Sequence, residues 1–413
     1  MSALKIQTRL IAAIAILAVS PLTAFTAEPV GELIIDSGSQ NRPVSFVHFK
    51  LPEDWDSIPH TARTADGQII PFQVDADGTG WLRVANTAAN QQRKIQIYSG
   101  LSAAPLTGIS ARHVGNKVEM WSGAKRVLEY QAEPGEFPRS DIKEAFRRGG
   151  YLHPIWSPGG TIVTDDFPTN HVHHHGIWFP WTKTKFEERE PDFWNMGDEK
   201  GRVEFVNLDR FFSGPVFGGL NTQHRFVDLL ADGGKTALNE TWNVRVYAVP
   251  HDLKVSMFDL ESTQTCATDS PLILPEYRYG GLGFRGRGDW DGKDNAHYLT
   301  SNGETDRIKG HATRADWCYI GGNTDGKRTG IVVMCHPDNF RAPQPMRIHP
   351  TEPFFCYAPQ QLGEMAIEPE KPYVSKYRFL VLDGEPSVDQ INEYWMDYSS
   401  PVKVTVVNRA KSN

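Results

Sequence analysis

Residues 164–183, TDDFPTNHVHHHGIWFPWTK, place two acids, four histidines, two tryptophans and a lysine in one short run. Four of the chain's 14 histidines fall within residues 171–175, a density that chance composition does not explain. On an extended segment His171, His173 and His175 share one face and His174 the other. His173 and His175 in that arrangement can direct two imidazole nitrogens at one divalent metal ion, with a third ligand from Asp165, Asp166, His153 or a distant loop. The same rings can instead move protons, because imidazole titrates near neutral pH. Asp165 or Asp166 would orient a ring through its second nitrogen in either case. His173, His174, His175, Asp165 and Asp166 are therefore candidate catalytic residues, and metal binding and acid/base chemistry both stay open.

Aromatic and polar residues follow at once. Trp178 and Trp181 offer flat apolar faces of the kind that stack on sugar rings, and Lys183 offers a donor for hydroxyls. Phe193 and Trp156 read as core. A second constellation, PEYRYGGLGFRGRGDWDGKDN, supplies Arg278, Tyr279 and Arg285 as ligand-binding candidates. Its literal GxGxxG spacing is not a dinucleotide loop, since no amphipathic helix follows. A third, CHPDNFRAPQPMRIHP, leaves a buried-looking strand and contributes His336 as a second acid/base candidate and Arg341 as a binder of hydroxyls or a carboxylate. No GxSxG elbow or HExxH helix is present, and no two acids stand out as the spaced pair of a glycosidase.

The elements that must hold these residues read as mainly β. Thirty-six glycines and 28 prolines punctuate short alternating segments. VGELIID, PVSFVHFKL, IIPFQVD, GWLRVAN and RKIQIYSG suggest a small N-terminal β-sandwich over residues 28–110. Beyond the small-residue linker LSAAPLTGIS, longer strands such as GRVEFVNLDRFFS, ALNETWNVRVYAVP and SKYRFLVLDG predict a large antiparallel β-sandwich over residues 111–413. Its curved sheet would be similar to the mutarotase-like supersandwich. Two helices are expected: SDIKEAFRR, ended by Gly149 and Gly150, and a C-terminal one starting at SVDQ, a capping-box spacing.

Residues 1–27 have the basic start, apolar run and small-residue end of a secretory signal, so a periplasmic or secreted location is expected. No later stretch reaches the roughly 18–20 apolar residues of a membrane helix. The formal net charge of −7, or −9 once Lys5 and Arg9 of the leader are set aside, argues against a nucleic-acid partner. Cys266, Cys318, Cys335 and Cys356 form no CxxC pair, and no bridge is assigned.

Taken in order, YLHPIWSPGG, VTDDFPTNHVHHHGIWFPWTKT, DFWNMG, YRYGGLGFR and GIVVMCHPDNFR resemble the PmoA family, an exported bacterial family named after the methane monooxygenase A subunit. The resemblance spans about residues 112–385 and implies that His173, His174 and His175 lie at the family's signature. The residues together predict an exported carbohydrate-active enzyme, a lyase, hydrolase or epimerase, acting on a sugar or other polyol. A non-catalytic glycan-binding protein and a histidine-ligated metal oxidoreductase are the alternatives.

Overall fold

The computed structural model describes residues 28–53, 55, 60–100 and 108–408. The expected leader, residues 1–27, and residues 101–107 of the expected linker lie outside the described residues. The architecture is mainly β and built from antiparallel sheets, as the alternation implied. In the strand Lys235–Tyr247, for example, Leu238, Trp242, Val244 and Val246 point inward while Asn239 and Thr241 face solvent. That period of two lets one face of the strand join a core.

Two eight-stranded sheets form the main sandwich. Their inner faces share one core, with Val118, Leu128, Leu152, Ile177 and Phe284 from one sheet against Leu220, Val244, Phe258, Ile331 and Phe379 from the other. A polar chain crosses this core. His224 Nδ1 lies 2.9 Å from Glu240 Oε2, and Glu240 Oε1 accepts from Ser262 (2.6 Å) and Gln264 (2.8 Å). Tyr130 reaches across from the facing sheet to His224 Nε2 at 2.7 Å, so this buried carboxylate is fully partnered.

The outer face of the second sheet is also covered. Strands Arg42–Lys50 and Thr79–Thr87 contribute Val44, Phe46 and Trp81, and the helix Val388–Ser399 contributes Ile391, Tyr394, Trp395 and Tyr398. That helix begins as expected, with the Ser387 hydroxyl accepting from Gln390 N. Past it, the strand Lys403–Asn408 pairs with Gly31–Asp36, so the end of the chain completes the N-terminal sheet.

SDIKEAFRR does not form an α-helix. It contains one 3-10 turn, Glu144–Phe146. Only Ile142 of this segment is a buried apolar residue, too little to hold a short helix whose nucleation is unfavourable. The chain turns instead so that Arg147 and Arg148 reach a cavity beside the histidine run.

Candidate functional site

The histidine run is a turn and not a strand. His174 N donates to His171 O at 2.8 Å, and the regular strand that follows covers only Ile177–Trp178. This overturns the expected alternation, because a turn brings residues three apart together: the His171 and His174 rings stack at 4.7 Å and 16°. Gly176 ends the run where it presses on the strand Tyr151–Ile155, and a side chain there would sit 2.3 Å from Leu152 O. His173 and His175 consequently part: His173 lines one cavity, and His175 lies fully buried behind the wall of another.

The first cavity, of about 240 Å³, is lined by Arg148, Tyr151, His153, Asp165 and Asp166 among others. Arg148 enters it from RRGGY. Gly150, at φ 76° and against the His224 ring, makes the tight passage from this arginine into the strand Tyr151–Ile155. Arg148 is only 4% exposed, yet its hydrogen bonds go to the carbonyls of Gly149 and Gly150, and among the described residues no carboxylate pairs with it. Burial lowers its pKa to about 10, which leaves it charged at neutral pH.

Asp166 organises the opposite wall. Tyr151 Oη donates to its Oδ2 at 2.9 Å, and His175 Nδ1 lies 2.6 Å from its Oδ1. His175 is fully buried and stacks on the Tyr151 ring at 4.4 Å, so it holds the pair from behind and cannot touch a ligand. Burial, opposed by His153, Tyr151 and Arg148, pushes the Asp166 carboxyl up to about 6. Asp165 is raised too, again mainly by burial. Burial keeps His175 well below the usual imidazole range and also lowers His153, whose Nδ1 is 2.9 Å from Thr164 Oγ1.

The second cavity, of about 140 Å³, is lined by His171, His173, His174, Asn195, Arg278, Tyr279, Arg347 and His349 together with Trp194 and Phe354. His171 Nδ1 lies 3.0 Å from Glu352 Oε2 without the alignment of an N–H···O bond. Burial raises the Glu352 carboxyl, but His171, His349 and Arg285 outweigh it and leave the group below its ordinary value. His173 falls to about 4, through burial first and then repulsion from His171 and His175. The imidazoles and carboxylate that converge here are His171, His174 and Glu352, all within 4.8 Å of one another, in place of the expected pair His173 and His175.

Several sequence candidates lie elsewhere. Trp178 and Trp181 are fully buried and form no platform; Trp178 packs among His174, Trp194 and Phe354, and Trp181 Nε1 donates to Gln264 in the inter-sheet polar chain. Lys183 is exposed over the Tyr277 ring. Arg285 is fully buried, bound to Glu352 and Asp291, so it props the second cavity's carboxylate and is not free for substrate. Arg341 ties loops together through the carbonyls of Pro359, Gly363 and Glu364. His336 lines a separate cavity between the N-terminal unit and the outer face of the second sheet, alongside Trp81, Arg245 and Arg378. Arg278 and Tyr279 do reach the second cavity, and Asp165 and Asp166 the first. Sequence reading missed Arg148, Tyr151, Arg347, His349 and Glu352. Only the first two carried a local signal, an Arg-Gly-Gly-Tyr passage into a strand.

Residues 117–396 match a family described as "Family of unknown function (DUF6807)". The chain belongs to this family. The DUF6807 region contains both cavities and all of the histidine run. The match corrects the resemblance to the PmoA family, since nothing in it indicates a methane monooxygenase subunit. Among the described residues no helix is long and apolar enough to cross a membrane. No curated protein matches the chain.

Proposed function

We propose that this DUF6807 chain is an exported carbohydrate-active enzyme whose substrate carries a carboxylate, a uronic-acid-type sugar, and whose chemistry begins with proton abstraction next to that carboxylate. That step is common to lyases and epimerases. One observation carries the reading: a buried, charged Arg148 in no salt bridge among the described residues, with Asp166 and Glu240 acting on it only at longer range, shares a cavity with the Tyr151–Asp166–His175 chain. A guanidinium in such a setting makes no direct ion pair, and a substrate carboxylate would supply one.

The roles follow from proton affinities. Arg148 neutralises the carboxylate, which acidifies the adjacent C–H and stabilises the enolate-like charge that develops. Asp166, with a carboxyl near 6, is ionised at neutral pH and basic enough to take the proton. Tyr151 and His175 aim it. In a lyase the protonated Asp166 passes this proton on to the leaving oxygen; in an epimerase the opposite face of the carbon takes a proton from solvent and Asp166 releases its own to solvent, and His153, neutral at the same pH, acts only as an acceptor. The apolar run at residues 10–19 supports an exported location.

Incubation with a panel of uronate-containing oligosaccharides tests this. A lyase gives a conjugated double bond visible in the ultraviolet, and an epimerase gives solvent deuterium at the abstracted position. Turnover should vanish when the substrate carboxyl is reduced to an alcohol. Equal turnover of acid and alcohol, or no turnover of any uronate, would end the proposal.

A further inference from the structure

We infer that His171, His174 and Glu352 are the protein ligands of a first-row divalent metal ion, zinc by the character of the donor set, at the floor of the second cavity. The inference is independent of the reading of the Arg148 cavity, because it rests on different atoms.

Three observations carry it. One ligand atom from each residue lies within 4.8 Å of the others, a convergence that a turn at residues 171–174 and the loop after the strand Met346–Ile348 create from distant parts of the chain. His171 Nδ1 and Glu352 Oε2 are 3.0 Å apart but not aligned as donor and acceptor. Two atoms each bound at about 2.0–2.2 Å to one ion stand about 3.0–3.5 Å apart between a right angle and the tetrahedral one, so the spacing fits two ligands of one cation as well as a hydrogen bond, and the misalignment and the orphaned nitrogens decide between them. His174 Nδ1 is buried with no hydrogen-bond partner, as is His171 Nδ1. Orphaned buried imidazole nitrogens are costly, and a metal would satisfy them.

The surroundings are arranged as support for such a site. Arg285 Nη1 holds Glu352 Oε2 at 3.0 Å while Asp291 balances that arginine, and His349 Nδ1 accepts from Glu352 N at 3.1 Å. The carboxylate is thus fixed by both its side chain and its backbone, the outer-shell role that metal ligands commonly receive. Two histidines and one carboxylate leave coordination positions open, and here these face a cavity with Arg278 and Arg347 on its wall. A carboxylate or other oxyanion coordinated on the open side would meet both guanidiniums.

The test uses the full chain, produced without an affinity tag, stripped with chelator and titrated calorimetrically with Zn²⁺ alone. The expected result is one ion per chain. His171→Ala, at a half-exposed position that can lose its ring without opening the core, and Glu352→Gln, which keeps the shape beside Arg285, should each weaken binding by about tenfold or more. Co²⁺ in place of Zn²⁺ should give visible absorption whose intensity drops in both variants. Absence of stoichiometric binding, or binding that neither substitution changes, would overturn the assignment. Since no substrate enters this experiment, its failure leaves the uronate assay unaffected, and an inactive protein that still binds one Zn²⁺ isolates the opposite case.

Discussion

The two cavities on either side of the histidine turn hold similar residue types in opposite states. Around Asp166 each carboxylate oxygen already has a donor, Tyr151 and His175, and the group without a direct ion pair is a cation, Arg148. Around Glu352 the carboxylate is held by a cation, Arg285, and the unmet groups are the lone-pair nitrogens of His171 and His174. An unpaired guanidinium calls for an anion, and converging lone pairs call for a metal. Composition alone cannot separate these cases, because the sign of the missing partner depends on which neighbours are already satisfied.

The comparison breaks most severely if Arg148 is dispensable. Arg148→Gln should lower kcat/KM on a uronate substrate by about 10²–10³-fold, the scale for losing a group that stabilises developing anionic charge, with Arg148→Lys intermediate. Asp166→Asn should lower kcat by about 10²-fold or more while leaving Zn²⁺ affinity unchanged, which would show that the cavities act separately. Tyr151→Phe should cost about tenfold in kcat. Because the Tyr151 hydrogen bond lowers the Asp166 pKa, its removal should also move the acidic limb of the pH–rate profile upward.

A smaller effect concerns stability. Asp166 has a folded pKa raised to about 6 from an ordinary 3.8, so the folded state binds its proton more tightly than the unfolded state does. The stabilisation from this group is complete below about pH 3.8 and is lost as pH rises through 6. Chemical denaturation should therefore show Asp166→Asn gaining stability relative to the parent between pH 4 and pH 7. The smallest effect is expected at Lys183, exposed and outside both cavity linings, where replacement by Ala should change unfolding free energy by less than about 0.5 kcal/mol and leave turnover unchanged.

The β architecture was legible because alternation is a local property: ALNETWNVRVYAVP reads as a strand before its partners are known. The Ser387 cap was legible for the same reason. What failed depended on the third dimension. His171 and His174 meet through a turn, so an extended reading paired His173 with His175. Glu352 arrives from 178 positions beyond His174 and has no sequence mark of its own. Trp178 and Trp181 carry the residue type of a sugar platform, yet burial decides their role, and Trp181 is spent on a hydrogen bond to Gln264. Arg148 differs from Arg147 in sequence only by its place before the two glycines, and the structure separates them by giving Glu144 to Arg147 as an ion-pair partner and none among the described residues to Arg148.

The pairing of Gly31–Asp36 with Lys403–Asn408 has a consequence for how the chain is made. One margin of the first sheet stays bare while several hundred residues are still being synthesised, and an unpaired margin is a template for stray strands. Lys403–Asn408 covers that margin and takes its place as the edge of the sheet, so loss of this strand would leave both cavities in place while baring the backbone of Gly31–Asp36.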